Sequence, residues 1–183
     1  MRIVAGAWRG RSLLAPAGTA TRPTADRVRQ ALFDMLLHAP WAGRDTIEDA
    51  QVLDVFAGTG ALGLEALSRG AAHATFVERD RAALATLRAN IAACRAAERS
   101  TVLAVDVLAG GALAGPPAGL VFLDPPYRQD LVAAALARLR ATGHIAAGAL
   151  LVAETARDEP PPVAEPLAER LHGAARLSVW RES

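Results

Sequence analysis

Val52-Leu53-Asp54-Val55-Phe56-Ala57-Gly58-Thr59-Gly60-Ala61-Leu62-Gly63 is the stretch on which the fold turns. Its first part, in an alternating run opening at Gln51, predicts a buried strand over Val52 to Phe56. Ala57-Gly58-Thr59-Gly60 then reads as a tight turn, and Ala61 to Arg69 as a helix stopped by Gly70. Gly58, Gly60 and Gly63 fit G-x-G-x-x-G between a strand and a helix. Glycines at those positions let the chain reverse sharply and let a ligand approach bare backbone. Glu78 lies twenty residues past Gly58, at the end of the next predicted strand, Ala74 to Val77. An acid there accepts hydrogen bonds from ribose hydroxyls.

The same alternation continues in both directions. Downstream, a long helix presents Leu84, Leu87 and Ile91 on one face. Thr101 to Val105 predicts a third strand ending at Asp106, and Leu120 to Leu123 a fourth ending at Asp124. A helix over 130–141 leads to a fifth strand, Leu150 to Ala153, ending at Glu154. The tail predicts an antiparallel pair around Ala168–Leu171 and Arg176–Arg181, turning at His172-Gly173. Upstream, residues 2–14 predict a small hairpin with Gly6 and Gly10 at its turn or bulge positions. Pro16 to Pro23 reads as a loop and Thr24 as a helix N-cap. Val28, Ala31, Leu32, Met35 and Leu36 then mark one apolar helix face running to about Leu37. Strands alternating with helices imply an α/β fold, a mostly parallel sheet covered on both faces. We expect one domain of 183 residues: a basic arm over 1–22 and a core over 23–183.

Composition narrows the function classes. Hydrophobic residues make up 52% of the chain, which argues against disorder. No apolar run approaches the roughly 20 residues of a membrane span, and Met1 to Gly6 holds no signal-peptide apolar region. A single cysteine, Cys94, excludes an internal disulfide; it reads as a packed thiol in a cytoplasmic protein. The net charge of +1 is unevenly placed. Residues 1–30 hold six arginines against one acid, Asp26, whereas the remainder holds fourteen arginines against eighteen acids. A basic arm on a slightly acidic body predicts a local phosphate-binding face, with weak, salt-sensitive affinity for naked RNA. His38, His73, His144 and His172 have no ligand spacing and read as structural or surface residues; no metal site is expected.

Predicted strands one to four finish in or beside an acid: Asp54, Glu78, Asp106 and Asp124. Ligands in open α/β sheets bind outside the carboxyl ends of the strands, where these acids gather. Asp124 opens Asp124-Pro125-Pro126-Tyr127. The prolines withhold two backbone donors and stiffen the turn, leaving carbonyls, a carboxylate and an aromatic face. Such a site accepts hydrogen bonds from a planar NH2 group and stacks on the ring that carries it, as the exocyclic amine of an unpaired or flipped-out nucleobase requires.

This tetrapeptide resembles the catalytic motif of amino-group methyltransferases acting on nucleic acids. The prefix Asp54-Val55-Phe56-Ala57 and the acid Asp106 resemble the first and third cofactor motifs of class I S-adenosylmethionine (SAM)-dependent methyltransferases, with their seven-stranded, Rossmann-like sheet. That resemblance implies SAM as methyl donor, held by Asp54, Phe56, Ala57, Gly58 and Gly60 at its methionine end. It implies Glu78 with Arg79 at the ribose, and Asp106 with Val107 at the adenine. Ala5-Gly6-Ala7-Trp8-Arg9-Gly10-Arg11, Thr21 to Arg29 and Phe56 to Gly70 resemble the bacterial 16S ribosomal RNA guanine-N2 methyltransferases, RsmD family, over about residues 2–128 in order. This implies the N2 amine of one guanine as acceptor. It also implies a small ribosomal subunit or late assembly particle as partner, with a monomer sufficing. Asp124, Pro125, Pro126 and Tyr127 become the catalytic set, and Asp124 also borders the cofactor. Arg22, Pro23 and Thr24 would close over SAM, and Arg9 and Arg11 would meet RNA phosphates. Trp8 reads as core packing before RNA stacking; Arg27 and Arg29 read either as exposed helix charges or as RNA contacts. The tail lacks the aromatic-rich ending of that family, having only Trp180.

Other readings carry distinguishable signatures. An adenine-N6 or protein-amide methyltransferase is compatible with Asp-Pro-Pro-Tyr, but no target-recognition domain for DNA is apparent. A non-enzymatic RNA-binding factor would show a decayed tetrapeptide or glycine turn, and both are intact. A nicotinamide dehydrogenase shares the glycine turn but has no use for the tetrapeptide.

Overall fold

The computed structural model describes residues 1–15, 23–109, 113–126 and 131–183, with backbone alone for 23–25. Arg22, the Thr24 side chain and Tyr127 therefore lie outside the described residues, as does most of the expected Pro16–Pro23 loop.

Seven strands form one sheet in the order β3-β2-β1-β4-β5-β7-β6. They are β1 (Gln51–Val55), β2 (His73–Val77), β3 (Ser100–Leu103), β4 (Ala118–Leu123), β5 (Ile145–Ala156), β6 (Ala168–His172) and β7 (Ala175–Arg181). The first five run parallel, while β7 is antiparallel to both of its neighbours. The expected mostly parallel sheet and the antiparallel tail pair are both present. The chain order reverses between β1 and β4, so the carboxyl ends of those two strands flank a crevice.

Helices α1 (Pro23–His38), α2 (Ala61–Ser68), α3 (Arg81–Ala93) and α4 (Leu131–Ala141) cover the sheet. Side-chain alternation divides the core in two. Val52, Leu120, Phe122, Leu150 and Val152 point toward Leu32, Phe33 and Leu36 of α1 and Leu64, Leu84 and Leu87 of α2 and α3. Leu53, Val55, Val121, Leu123 and Leu151 point the other way, toward Val132, Leu136 and Leu139 of α4. Phe33 and Phe122 meet at 5.7 Å between ring centroids, tilted by 50°, a favoured aromatic geometry.

Several boundaries differ from the sequence expectation. Helix α1 starts at Pro23, which places Thr24 in its first turn rather than at the cap; proline suits a first helical position because its missing N–H has no partner there. Strand β1 stops at Val55, since Phe56 adopts φ of +61°, a left-handed conformation no strand contains. Strand β3 ends at Leu103, three residues before Asp106, which sits in the following turn instead of at the strand end. Strand β5 is far longer than Leu150–Ala153: it begins at Ile145, opposite Ala118 of β4, and β7 pairs with it from Leu150 to Ala156 and carries it past Glu154.

The N-terminal hairpin is short: one antiparallel bridge, Arg2 to Ser12, flanked by Ile3 N–H to Arg11 C=O at 2.9 Å and Leu13 N–H to Met1 C=O at 3.0 Å. Its docking is tight. The fully buried Glu65 carboxylate on α2 accepts the N–H groups of Val4 (2.8 Å) and Ala5 (3.0 Å). Ser68 Oγ accepts the Trp8 N–H at 3.0 Å and donates to the Ala5 carbonyl at 2.6 Å. Gly6, at φ of +79°, lies so close to Ser68 that a Cβ would sit 1.9 Å from its carbonyl oxygen.

Candidate active site

A cleft of about 490 Å³ opens at the carboxyl ends of β1, β4 and β5. Asp54, Phe56, Ala57, Gly58 and Thr59 form one wall; Asp124, Glu154, His172 and Leu177 form the other. Met1 and Arg29 also reach it. The structure thus brings the glycine turn and the start of the Asp-Pro-Pro-Tyr motif to one space, from segments some seventy residues apart.

Strand β1 delivers the first wall. Asp54 lies on the same side of the sheet as Val52, and its Oδ2 accepts the Gly63 N–H at 2.9 Å, tying strand to helix across the turn. That closeness explains the third glycine: a Cβ on Gly63 would meet the Phe76 ring at 2.4 Å. Gly58 differs. Its φ is +54°, and a Cβ there would find no protein atom nearer than 3.9 Å. The space beside it belongs to the cleft, so the bare backbone is left for a ligand to approach. Phe56 and Gly58 both hold left-handed φ beside the cleft, an arrangement that concentrates at ligand-binding turns.

Glu78 closes the turn from the second strand. Its Oε2 accepts the Gly58 N–H at 2.9 Å, while Oε1 accepts the N–H groups of Arg79 (2.7 Å) and Asp80 (2.8 Å). Arg79 in turn pairs with Asp106 at 2.6 Å, and Asp106 accepts the Leu108 N–H at 2.9 Å. These two hydrogen bonds, backbone first and Arg79 second, hold the Asp106 carboxyl below the usual carboxylate range. Glu78, Arg79, Asp106 and the buried Val107 form a linked group next to the glycine turn, outside the lining of the main cleft.

The cleft is strongly acidic. Burial pushes the Asp54 carboxyl up to about 8, against the Gly63 hydrogen bond, with Asp124 and Glu78 adding to the rise. Asp124 faces the cleft and water reaches it there, but protein crowds it on the other sides. That crowding, and then the Glu154 carboxylate, pushes it up to about 7. Pro125 is buried behind it and Pro126 exposed, so the rigid turn fixes where the carboxylate stands. Any cation entering the cleft would favour the ionised form of both acids.

The expected RNA-facing residues divide. Arg9, Arg11 and Arg27 are exposed, although Arg11 also donates to the Ala93 carbonyl. Trp8 is half-buried, packed on the core beneath the Arg99 guanidinium at 5.2 Å. Arg29 is a correction: only 5% exposed, it pairs with Asp26 at 2.9 Å and Glu65 at 3.5 Å and donates to the Arg2 carbonyl. The guanidinium is turned inward and engaged with two carboxylates, so it ties α1 to the arm and is not an exposed helix charge.

The sequence reading left out two residues of the cleft wall. Glu154 carries the same signal as the acids that were assigned, a carboxylate at the end of a predicted strand. His172, read as structural or surface, reaches the cleft because β6 and β7 join the sheet beside β5; the local pattern announced the pair but not where it docks. Among the described residues, no group of three His, Cys, Asp or Glu side chains is placed to hold a metal.

Comparison with known proteins agrees with this geometry. The family model described as "Conserved hypothetical protein 95" matches residues 1–180. Ribosomal RNA small subunit methyltransferase D of Escherichia coli (strain K12) is 44% identical over 155 residues, 85% of this chain and 74% of that protein. A putative rRNA methyltransferase of Bacillus subtilis (strain 168) is 37% identical over 161 residues, 86% of this chain and 84% of the other. A solved structure of a putative methyltransferase from Escherichia coli superposes with a TM-score of 0.82 at 38% identity, covering 100% of this chain and 97% of that one.

Proposed function

The chain belongs to the conserved hypothetical protein 95 family, and on that premise we propose that it is a SAM-dependent ribosomal RNA methyltransferase acting on the exocyclic N2 amine of a guanine in the small subunit. The observation that carries the reading is the cleft itself. It joins a glycine turn with open backbone at Gly58 to an acid, Asp124, held at the exit of β4 by two prolines.

The residues present fit SAM. Gly58 offers unobstructed backbone, Asp54 and Asp124 offer carboxylates to a cationic group, and Glu78 and Asp106 stand in sequence along the rim for ribose and adenine. When bound, SAM supplies a methyl group already activated on a sulfonium, so the protein need only place the acceptor. An aryl amine is a poor nucleophile because its lone pair is delocalised into the ring. Hydrogen bonds from its N–H groups to the Asp124 carboxylate and the Pro125 carbonyl raise the electron density on nitrogen and aim the lone pair. As nitrogen gains a bond to carbon it must release a proton, and a carboxylate with a pKa near 7 is well matched to accept hydrogen bonds through that change. In-line placement at about 3–3.5 Å is the main catalytic contribution. Tyr127, next in sequence, would stack on the base, which must leave its helix to enter.

The exposed arginines of the arm, Arg9 and Arg11, would supply phosphate contacts, while the chain as a whole is near neutral. Such a limited basic footprint supports an assembled or late-assembly subunit as substrate, with ribosomal proteins completing the surface. No helix among the described residues is long and apolar enough to cross a membrane.

The test is methyl transfer from radiolabelled SAM to small subunits lacking the modification, with naked RNA and DNA alongside and nucleoside analysis of the product. N2-methylguanine, formed by the wild type and lost in Asp124→Ala, is the expected result. N6-methyladenine would replace guanine by adenine, and equal transfer to naked RNA would remove the requirement for a subunit.

A further inference from the structure

We propose that Glu154 selects guanine, by accepting its N1–H while Asp124 accepts the neighbouring N2–H. This rests on the reading that guanine N2 is the acceptor. Strand register carries it. Phe122 of β4 pairs with Val152 of β5, and Leu123 with Ala153. One step further along both strands stand Asp124 and Glu154. By the two-residue alternation of strands, both side chains leave the sheet on the face of Phe122 and Val152. Neighbouring strands lie roughly 4.8 Å apart, so two carboxylates emerge side by side at the same height, and both line the same cleft. They sense each other: after burial, the Glu154 charge is what raises the Asp124 carboxyl.

Two adjacent acceptors impose a definite demand. A flipped base is read along its Watson–Crick edge. Guanine presents two donors side by side there, N1–H and the N2 amine. Adenine presents its N6 amine next to N1, an acceptor, and cytosine its N4 amine next to N3, also an acceptor. Either base would set a lone pair against the Glu154 carboxylate. A single acid at Asp124 recognises any amine; the second acid at Glu154 turns that into a choice. The guanine donors also relieve the repulsion between the two carboxylates, which favours ionised Asp124 in the loaded site.

The experiment uses the full chain and an RNA fragment spanning the guanine that the wild type methylates. Guanine, 2-aminopurine or adenine is placed at that position. 2-Aminopurine keeps the 2-amine but offers an acceptor at N1. The wild type is expected to favour guanine over 2-aminopurine by about 10- to 100-fold in kcat/KM. Glu154→Gln, whose amide N–H matches that acceptor, should narrow this preference about tenfold or more, read as the ratio of the two bases at saturating SAM. Glu154→Ala, which removes the charge without supplying a donor, should narrow it as well and guards against a folding defect in one variant. Variants that slow both bases equally, or neither, would overturn the role of Glu154 while leaving guanine-N2 methylation standing. A wild type that forms no N2-methylguanine on any RNA would remove the reading beneath it.

Discussion

Asn90 of α3 donates from Nδ2 to the Thr59 carbonyl in the glycine turn, at 3.0 Å, and the same buried amide holds the N-terminal arm. Its Oδ1 accepts the Leu14 N–H at 2.7 Å, and its second Nδ2 hydrogen reaches the Leu14 carbonyl at 3.1 Å. One side chain with every hydrogen-bonding group engaged therefore joins the segment that carries the exposed arginines to the loop proposed to carry the cofactor.

Replacing Asn90 by Ala leaves those backbone groups without their partner, at a cost of about 1–3 kcal/mol in urea unfolding. If the glycine turn is loosened by about 1 kcal/mol of that, SAM affinity by calorimetry falls about fivefold. Lower stability with unchanged SAM affinity would mean that the amide anchors the arm alone.

Glu65 bears a heavier load. Besides Val4 and Ala5 it meets Arg69 at 2.8 Å and Arg29 at 3.5 Å. Glu65→Ala removes the acceptor of two N–H groups and the nearest carboxylate of the buried Arg69, while Arg29 keeps Asp26, with an expected loss of about 3–5 kcal/mol. Hydrogen exchange at Val4 and Ala5 should rise before global unfolding, since those amides lose their acceptor directly.

Two glycines of the same motif should fail in different ways. Gly63→Ala drives a methyl into the Phe76 ring and should cost about 1–3 kcal/mol of stability through overpacking. Gly58→Ala meets no protein atom nearer than 3.9 Å; beyond about 1–2 kcal/mol for a left-handed alanine, its damage falls on SAM binding. Thermal unfolding and calorimetry on both variants separate the two effects.

Asp54 makes folding stability depend on pH. Its carboxyl rises from an ordinary 3.8 to about 8 on folding, so the native state holds a proton that the unfolded chain releases. The sign follows: its contribution is present in full below about pH 4 and is lost as pH rises toward 8. Asp54→Asn, neutral throughout and still able to accept from Gly63, should flatten this slope. Unfolding free energies of the two proteins, compared between pH 5 and 8, check it.

Asp124 should set the pH dependence of activity. With its carboxyl at about 7 in the ligand-free protein, kcat/KM is expected to climb as pH rises through 7, because only the ionised form accepts both amine and methyl-donor charge. Glu154→Gln removes the charge that, after burial, raises Asp124, so its profile should shift to lower pH.

The distribution of success between sequence and structure has a physical cause. Backbone geometry repeats over short windows, so the strand-turn-helix at Val52–Gly63, the apolar face of α3 and the antiparallel tail were all legible from spacing. Chemistry tied to a fixed local turn was legible too, which is why Asp124-Pro125-Pro126 stood out. Sequence spacing misjudged β3, because two residues, Ala104 and Val105, separate its end at Leu103 from Asp106, and β5, because partners on both sides extend it: β4 at Ile145 and β7 as far as Ala156. It offered Arg29 as an exposed charge or an RNA contact, and only its pairing with Asp26 and with Glu65, which comes to it from elsewhere in the fold, shows that it is turned inward. What the chain determines by itself is the order of its elements and the residues at their ends, since these follow from local sterics and burial. Which acids stand side by side, Asp124 with Glu154 rather than with any neighbour in sequence, depends on register across strands thirty residues apart. That register is set by packing of the whole sheet, and no local pattern contains it.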